Sequence, residues 1–480
     1  MRPTDVEIAA ISSTEQGMAG EERALNWPGG ALARSGAAVP LGGAAASSFA
    51  AAAALVRTQV LANGLTLVVW PDHNIPSVAL HNWVRVGSRN EGTGRTGLAH
   101  FFEHMMFNGT SARAQGEFDR LMERQGGSNN AYTSQDVTVY QDWFPRSALE
   151  LVFELESDRI ANLALRVEVV ENERKVVYSE RRLRVEDSNA ALLDEQVQAS
   201  AFRVHPYRIP TIGWPADIES WTMADLQQFY RTYYAPNNCT LILVGDVEPD
   251  EAFALAERTF GKIPAGPAPP PVQTIEPEQR GERRVVLERP GQNPLLQIAY
   301  HAIQAADARE PALNLLQTIL VGGDASRLHR SLVEEQRLAV AIGGGWSEGF
   351  DPNVFTLQAT LPADGELEAA QAAIDAELAR LLAHGVTEAE LQRAKNMVAA
   401  DFWRGVATID GKARLLGEYA VMHGDAQLLF SAPEGYGRVT REQIQAIART
   451  VFNPERRTVG ILRPLEELDE LEPQSEPESA

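Results

Sequence analysis

The residues with the most evident chemistry are His100-Phe-Phe-Glu-His104, set in the apolar run from Gly97 to Phe107. A helix turns by about 100° per residue, so His100, Glu103 and His104 share one face, where two imidazoles can converge on a metal ion with a carboxylate beside them. The order inverts the common His-Glu-x-x-His helix. Two core histidines with satisfied nitrogens are the competing reading. A catalytic metal needs a third protein ligand, and the segment from Val169 to Leu183 offers one. Read as a helix, it places Val169, Glu173, Val176, Val177, Glu180 and Leu183 on one stripe, with Glu171, Arg174, Lys175, Arg181 and Arg182 pointing elsewhere. Two carboxylates on an apolar face cost several kcal/mol unless a cation or good hydrogen bonds meet them, and a zinc ion would do so. An exposed helix edge, or pairing with nearby arginines, would also account for them. Cys239 is the only cysteine, so a metal must be held by His, Asp or Glu. The other histidines, His73, His81, His205, His301, His329, His384 and His423, are isolated in sequence and read as surface or core residues.

The elements that must position these groups are spread over 480 residues, more than one hydrophobic core organises. The segment Thr222 to Thr240 aligns without a gap to Thr440 to Thr458, sharing Thr222/Thr440, Gln227/Gln445, Arg231/Arg449, Thr232/Thr450, Pro236/Pro454 and Thr240/Thr458. Each copy opens with a capping box and reads helix, Pro-containing turn, apolar strand (Leu241 to Val244 and Val459 to Leu462). The fold class expected is α+β, with two homologous domains, each a mixed, mainly antiparallel sheet packed with helices. The domains span 56–264 and 281–465, joined by a Pro-rich linker at 265–280 that contains Pro269-Pro-Pro271. Residues 1–55 are rich in Ala, Gly and Ser and read as low-complexity and mostly disordered, and 466–480 as a solvated acidic tail.

The bulk numbers exclude whole classes. A net charge of −22 repels nucleic acid and acidic lipid, and no apolar run approaches the roughly 18 to 20 residues of a membrane span. The start of the chain lacks the basic-then-apolar order of a secretory signal, which points to the cytoplasm unless it is a processed leader of a periplasmic protein. One thiol fits any redox compartment. Gly343-Gly-Gly345 lacks the strand-to-helix context of a phosphate loop and reads as a bend.

His100-Phe-Phe-Glu-His104, followed after 75 residues by Glu180 with Glu173 seven before it, closely resembles the inverzincin peptidases of the pitrilysin, insulinase and mitochondrial processing peptidase family. The resemblance covers most of 56–465. It implies that His100, His104 and Glu180 bind one Zn2+ per chain, that Glu103 is the general base, and that Glu173 is a nearby acid supporting the site. The implied reaction is hydrolysis of peptide bonds, with zinc lowering the pKa of water to about 7 and Glu103 moving the proton. Gly126 to Ser134 followed by Asp136-Val-Thr-Val-Tyr140 reads as a turn entering a strand and resembles the family's edge strand, where an extended peptide is added. Asn130 and Ala131 are the candidate substrate contacts there.

Two departures bear on partners. Setting Val321-Gly-Gly against Phe107-Asn-Gly places Asn314 to Thr318 opposite His100 to His104, with no imidazole, so one zinc site per chain is expected. Where the family presents an Arg and a Tyr seven apart, this chain has Val333 and Val340, and neither Arg330 nor Arg337 has a Tyr seven later. The expected protein is therefore a zinc endopeptidase acting on peptides or unfolded segments in a closed chamber. It would be the catalytic half of a heterodimer whose second subunit donates the Arg/Tyr pair, or else self-associated. A non-catalytic structural subunit, or a peptide-binding module with a structural zinc, is the alternative; neither needs Glu103.

Overall fold

Two sheets frame the molecule in a computed structural model that describes residues 49–465. The first contains β1 (Arg57–Val60), β2 (Thr66–Pro71), β3 (Ser77–Val84), β4 (Ser128–Thr133), β5 (Thr138–Pro145) and β6 (Cys239–Gly245), in the order β1-β2-β6-β3-β5-β4. The second contains β7 (Arg283–Pro290), β8 (Leu295–His301), β9 (Ala341–Trp346), β10 (Val354–Thr360) and β11 (Arg457–Leu465), in the order β7-β11-β8-β10-β9. Set β1 aside and the two orders coincide. Each sheet has one parallel pair, β2 with β6 and β7 with β11, and is otherwise antiparallel. This is the mixed, mainly antiparallel α+β fold that the repeat calls for.

The helices that shape the site and cover the sheets are α1 (Leu98–Met105), α2 (Val167–Arg181), α3 (Asn189–Ala201), α4 (Met223–Tyr233), α5 (Glu310–Val321), α6 (Ile409–Met422) and α7 (Arg441–Val451). The repeated segments become α4 and α7, each with a complete capping box. Thr222 Oγ1 accepts from the Asp225 amide (3.2 Å) while Asp225 Oδ2 accepts from the Thr222 amide (3.0 Å); Thr440 and Gln443 do the same at 3.3 and 2.9 Å. A single 3-10 turn, Pro236–Asn238 or Pro454–Arg456, then leads into β6 or β11.

Both faces of each sheet are covered, which is why the central strands read as near-continuous apolar runs. On one face of the first sheet Leu67, Leu80 and Leu241 pack with Phe101, Phe102 and Leu226; on the same side of the second, Leu296 and Ile298 pack with Leu313, Leu316 and Ile444. The opposite faces are covered by exchange. Helix α3 precedes the second sheet in the chain yet lays Leu193 and Val197 against Leu295, Ala299 and Leu462. Helix α6 follows most of the second sheet yet lays Ile409, Ala413 and Leu416 against Val68, Trp83 and Ile242 of the first. Gly417 lets α6 approach this closely, since a Cβ there would overlap the Trp83 indole. Polar ties fasten the exchange: His81 Nε2 lies 2.9 Å from Asp410 Oδ1, Lys412 pairs with Asp72, and Gln297 Nε2 donates to Asp194 Oδ1 at 2.6 Å.

Between Lys262 and Arg283 the chain forms no helix or strand. Glu276 pins this stretch by accepting the amides of Arg203, Val204 and His205 at 2.7, 2.9 and 3.0 Å. Three expectations change. Most of 1–55, and all of 466–480, lie outside the described residues, but 49–55 are ordered: Phe49 is buried among Trp70, Phe402, Trp403 and Phe430, with ring centroids 5.0–5.9 Å away. One aromatic anchor outweighs the alanines around it. Gly343 to Gly345 are not a bend but part of edge strand β9, where Gly344 (φ 135°) lies so close to Thr356 O that a Cβ would overlap it. Ser128 to Thr133, read as a turn entering a strand, themselves form the edge strand β4 that the resemblance implies, and the turn is confined to 134–137.

Candidate metal centre

Helix α1 owes its position to one buried acid and a set of rings. Glu91 accepts the amides of Gly97 and Ala99, both at 2.7 Å, satisfying donors that a helix start leaves free. Phe101 packs on Trp221 (5.0 Å), and Phe102 stacks on Phe229 (5.5 Å). These contacts fix the buried face, Leu98, Ala99, Phe101, Phe102 and Met105, and turn His100, Glu103 and His104 to the other side as the spacing requires.

Helix α2 lies across that side, rotated from the expected stripe. Its inward line is Val170, Glu173, Arg174, Val177, Glu180 and Arg181, while Val176 and Leu183 are 51% and 71% exposed. The two arginines turn inward because backbone carbonyls and a carboxylate receive them. Arg174 donates to Trp221 O (2.7 Å) and to Ile218 O, and Arg181 to Gly213 O (2.7 Å) and to Glu195 (2.8 and 3.0 Å). Glu173 and Glu180 still face α1.

One donor atom from each of His100, His104 and Glu180 lies within 4.8 Å of the other two, and no other His, Cys, Asp or Glu group among the described residues converges so. Glu180 Oε2 is 3.2 Å from His104 Nε2 and 3.7 Å from His100 Nε2. Donors bonded tetrahedrally at about 2.0–2.2 Å sit roughly 3.3–3.6 Å apart, so the two distances from Glu180 suit a divalent ion. Glu180 Oε2 is also a buried oxygen, placed between two imidazole nitrogens. The residues fit a metal of the kind that takes nitrogen and oxygen donors.

The charges are consistent with that fit. Burial, and then the neighbouring His104, lower His100 to about 4. Burial opposes protonation of His104 as well, but hydrogen bonds with Glu173 and Glu180 overcome it and lift that imidazole to about 10. Burial would raise Glu180; the hydrogen bond with His104 and the charges of His100, His104 and Arg184 instead hold it at about 2. Without an ion the cluster thus keeps its positive charge on one imidazole.

A second layer orients the donors. His104 Nδ1 donates to Glu173 Oε1 at 2.8 Å, which turns Nε2 toward Glu180, the nitrogen that would give up its proton to bind a metal. Asn108 Nδ2 donates to Glu173 Oε2 (2.9 Å) and His104 O (3.1 Å), and Gln115 Nε2 donates to Asn108 Oδ1 (2.5 Å). Arg184 Nε holds the other Glu180 oxygen at 3.1 Å. Glu103 points past the donors, its Oε2 accepting from Thr133 Oγ1 at 2.6 Å, and burial pushes its carboxyl up.

The structure therefore brings His100, Glu103, His104, Glu173 and Glu180 together. Asn130 and Ala131 lie on β4, opposite Gln141 and Tyr140, and β4 is an edge that pairs with β5 alone. Val333 packs against the core of the second sheet and Val340 is 59% exposed just before β9. Sequence reasoning missed Glu91, Asn108, Thr133 and Arg184. Asn108, four residues after His104, was the one with a visible signal. Helix α5 occupies between β8 and β9 the place that α1 has between β3 and β4, and presents Asn314 and Thr318 instead of imidazoles.

The chain is similar to known proteins along most of its length. Residues 67–214 match the family model described as insulinase (peptidase family M16), and residues 220–398 match that of the peptidase M16 inactive domain. Zinc protease PqqE of Helicobacter pylori is 31% identical over 412 residues, covering 85% of this chain and 93% of that protein. An uncharacterized zinc protease of Mycobacterium leprae is 29% identical over 414 residues, 86% of this chain and 92% of its own. Among solved structures, a protease from Helicobacter pylori aligns with a TM-score of 0.83 at 30% identity, over 85% of this chain and 99% of that one. A peptidase M16 inactive domain protein from Pseudomonas fluorescens shares the fold at TM-score 0.78 and 20% identity, over 85% and 98%.

Proposed function

The chain belongs to the insulinase family of peptidases, family M16, and from that premise we propose that it is a zinc-dependent endopeptidase in which His100, His104 and Glu180 hold the ion. The observation that carries the proposal is the convergence of two imidazoles and a carboxylate from α1 and α2, with Glu103 beside them but bound elsewhere. A structural zinc has no use for that fourth group. Zinc at such a site supplies Lewis acidity, polarising a carbonyl and lowering the pKa of water to about 7. Glu103 is the base: Oε2 is held by Thr133, and Oε1 takes the proton of the attacking water and gives it to the leaving amide nitrogen. Glu173 fixes the tautomer of His104. Substrate, an extended peptide or unfolded segment, adds as a further strand along β4, with Asn130 and Ala131 in contact with its backbone.

The domain limits proposed are 56–264 and 281–465 around a linker at 265–280. Val333 and Val340 bring no hydrogen-bond donor from their side chains, which supports a heterodimer closing a chamber around substrate, the second subunit lending an Arg and a Tyr as carbonyl donors. The test is metal analysis together with peptide turnover by the chain alone and with a second family member. One zinc per chain is expected, with poor turnover alone and high turnover in the mixture. Glu103→Gln should keep the zinc and lose about 10²-fold or more in activity. Unchanged turnover in that variant would overturn the assigned base, and high turnover by the chain alone would remove the need for a partner.

A further inference from the structure

We propose that Thr133 is the positioning residue for Glu103, holding the carboxylate with one oxygen fixed and the other presented to the reacting water; this rests on the reading of Glu103 as the base. A glutamate on a helix face has three side-chain torsions and can swing widely. Burial raises the cost of its charge but does not choose its direction. The direction comes from the 2.6 Å hydrogen bond between Thr133 Oγ1 and Glu103 Oε2.

Thr133 is suited to this by its place in the sheet. It is the last residue of β4 and pairs in register with Thr138 of β5. The Thr138 hydroxyl donates to Val86 O at 2.9 Å, so its proton is committed, and Thr138 Oγ1 lies 3.3 Å from Thr133 Oγ1. The Thr133 hydroxyl therefore has the carboxylate as its short partner. A β-branched side chain has few χ1 choices, so the strand backbone dictates where Oγ1 sits. Residues two apart on a strand share a face: Ala131 packs against the core to which Phe101 and Phe102 of α1 belong, whereas Tyr132 turns to the cluster of Trp83 on the opposite face. Thr133 thus ties the base to the edge on which the peptide is proposed to lie, so seating the substrate and aiming the base depend on one strand.

The test compares Thr133→Val, which keeps the shape and removes the hydroxyl, with Thr133→Ser, which keeps the hydroxyl. Both are made in the assembly that proves active. A hydrogen bond to a charged group is worth about a 10- to 100-fold effect, so Thr133→Val should lower kcat by roughly that factor with KM within about twofold of the parent. Zinc content and Tm should be unchanged, and Thr133→Ser should recover most of the rate. A crystal structure of Thr133→Val should show the Glu103 carboxylate turned away from its parent position. An unaltered Glu103 conformer, a parental kcat in Thr133→Val, or a Thr133→Ser variant as slow as the valine would each overturn the proposal. Should the zinc-loaded parent hydrolyse no peptide in any assembly, the peptidase reading fails separately, and the Glu103 conformer in Thr133→Val still decides the role of Thr133.

Discussion

Helices α1 and α5 occupy the same place in two sheets of the same strand order, and both bring polar groups into a largely apolar interior, yet they meet the resulting charge differently. Beside α1, the Glu180 carboxylate is kept ionised by imidazoles and Arg184. On α5, Glu310 has no cation among its partners; it accepts from Tyr436 OH at 2.9 Å and from Asn314, and burial lifts it to about 7. A buried acid is thus balanced by convergent nitrogen donors in one half and by a proton in the other. The scaffold is indifferent to the choice; a few side chains decide which half has chemistry to offer.

The largest effect that would break this contrast is loss of metal. His100→Ala and His104→Ala should each take zinc from about one per chain to near none by elemental analysis, while Asn314→Ala and Thr318→Ala leave it unchanged. Full occupancy in the double histidine variant would erase the distinction between the halves. Glu173→Gln should be milder, weakening zinc about 10- to 100-fold in a chelator competition, because it orients His104 without binding the ion.

Glu310 supplies the complementary test. Its folded pKa of about 7 lies above the ordinary 4.5, so the stability it contributes is complete below pH 4.5 and is lost as pH rises toward 7. Glu310→Gln removes that loss. Relative to the parent, its unfolding free energy should rise between pH 4.5 and 7 by up to about 3 kcal/mol and stay level above. A pH-independent difference in denaturant titrations would show that Glu310 is ionised in the fold. The smallest effect tests the likeness of the halves: Thr222→Ala and Thr440→Ala should each cost about 1 kcal/mol, the two agreeing within error.

The repeat was legible because capping boxes and Pro-led turns are local, and local rules are written in consecutive residues. The same holds for the His-Phe-Phe-Glu-His helix, whose face follows from residue spacing alone. The rotation of α2 was not legible. Arg174 and Arg181 are buried by Trp221 O, Gly213 O and Glu195, which are distant in sequence, and an apolar-inside rule assigns such arginines to solvent. Thr133 and Arg184 were missed for the same reason, since their partners are set by sheet register and by the packing of one helix on another. The exchange of α3 and α6 left no mark either: a few apolar residues, Leu193 and Val197 or Ile409, Ala413 and Leu416, do not say which sheet a helix will cover.

That exchange has a consequence for the order in which the protein can be made. The first sheet is complete once Gly245 has left the ribosome, but Val68, Trp83 and Ile242 lack their covering helix until residues 409–422 follow. At roughly 5–20 residues per second this apolar surface waits for about ten to thirty seconds of further synthesis. During that interval the nascent first half carries an exposed apolar face, and its cover comes from a segment near the other end of the message.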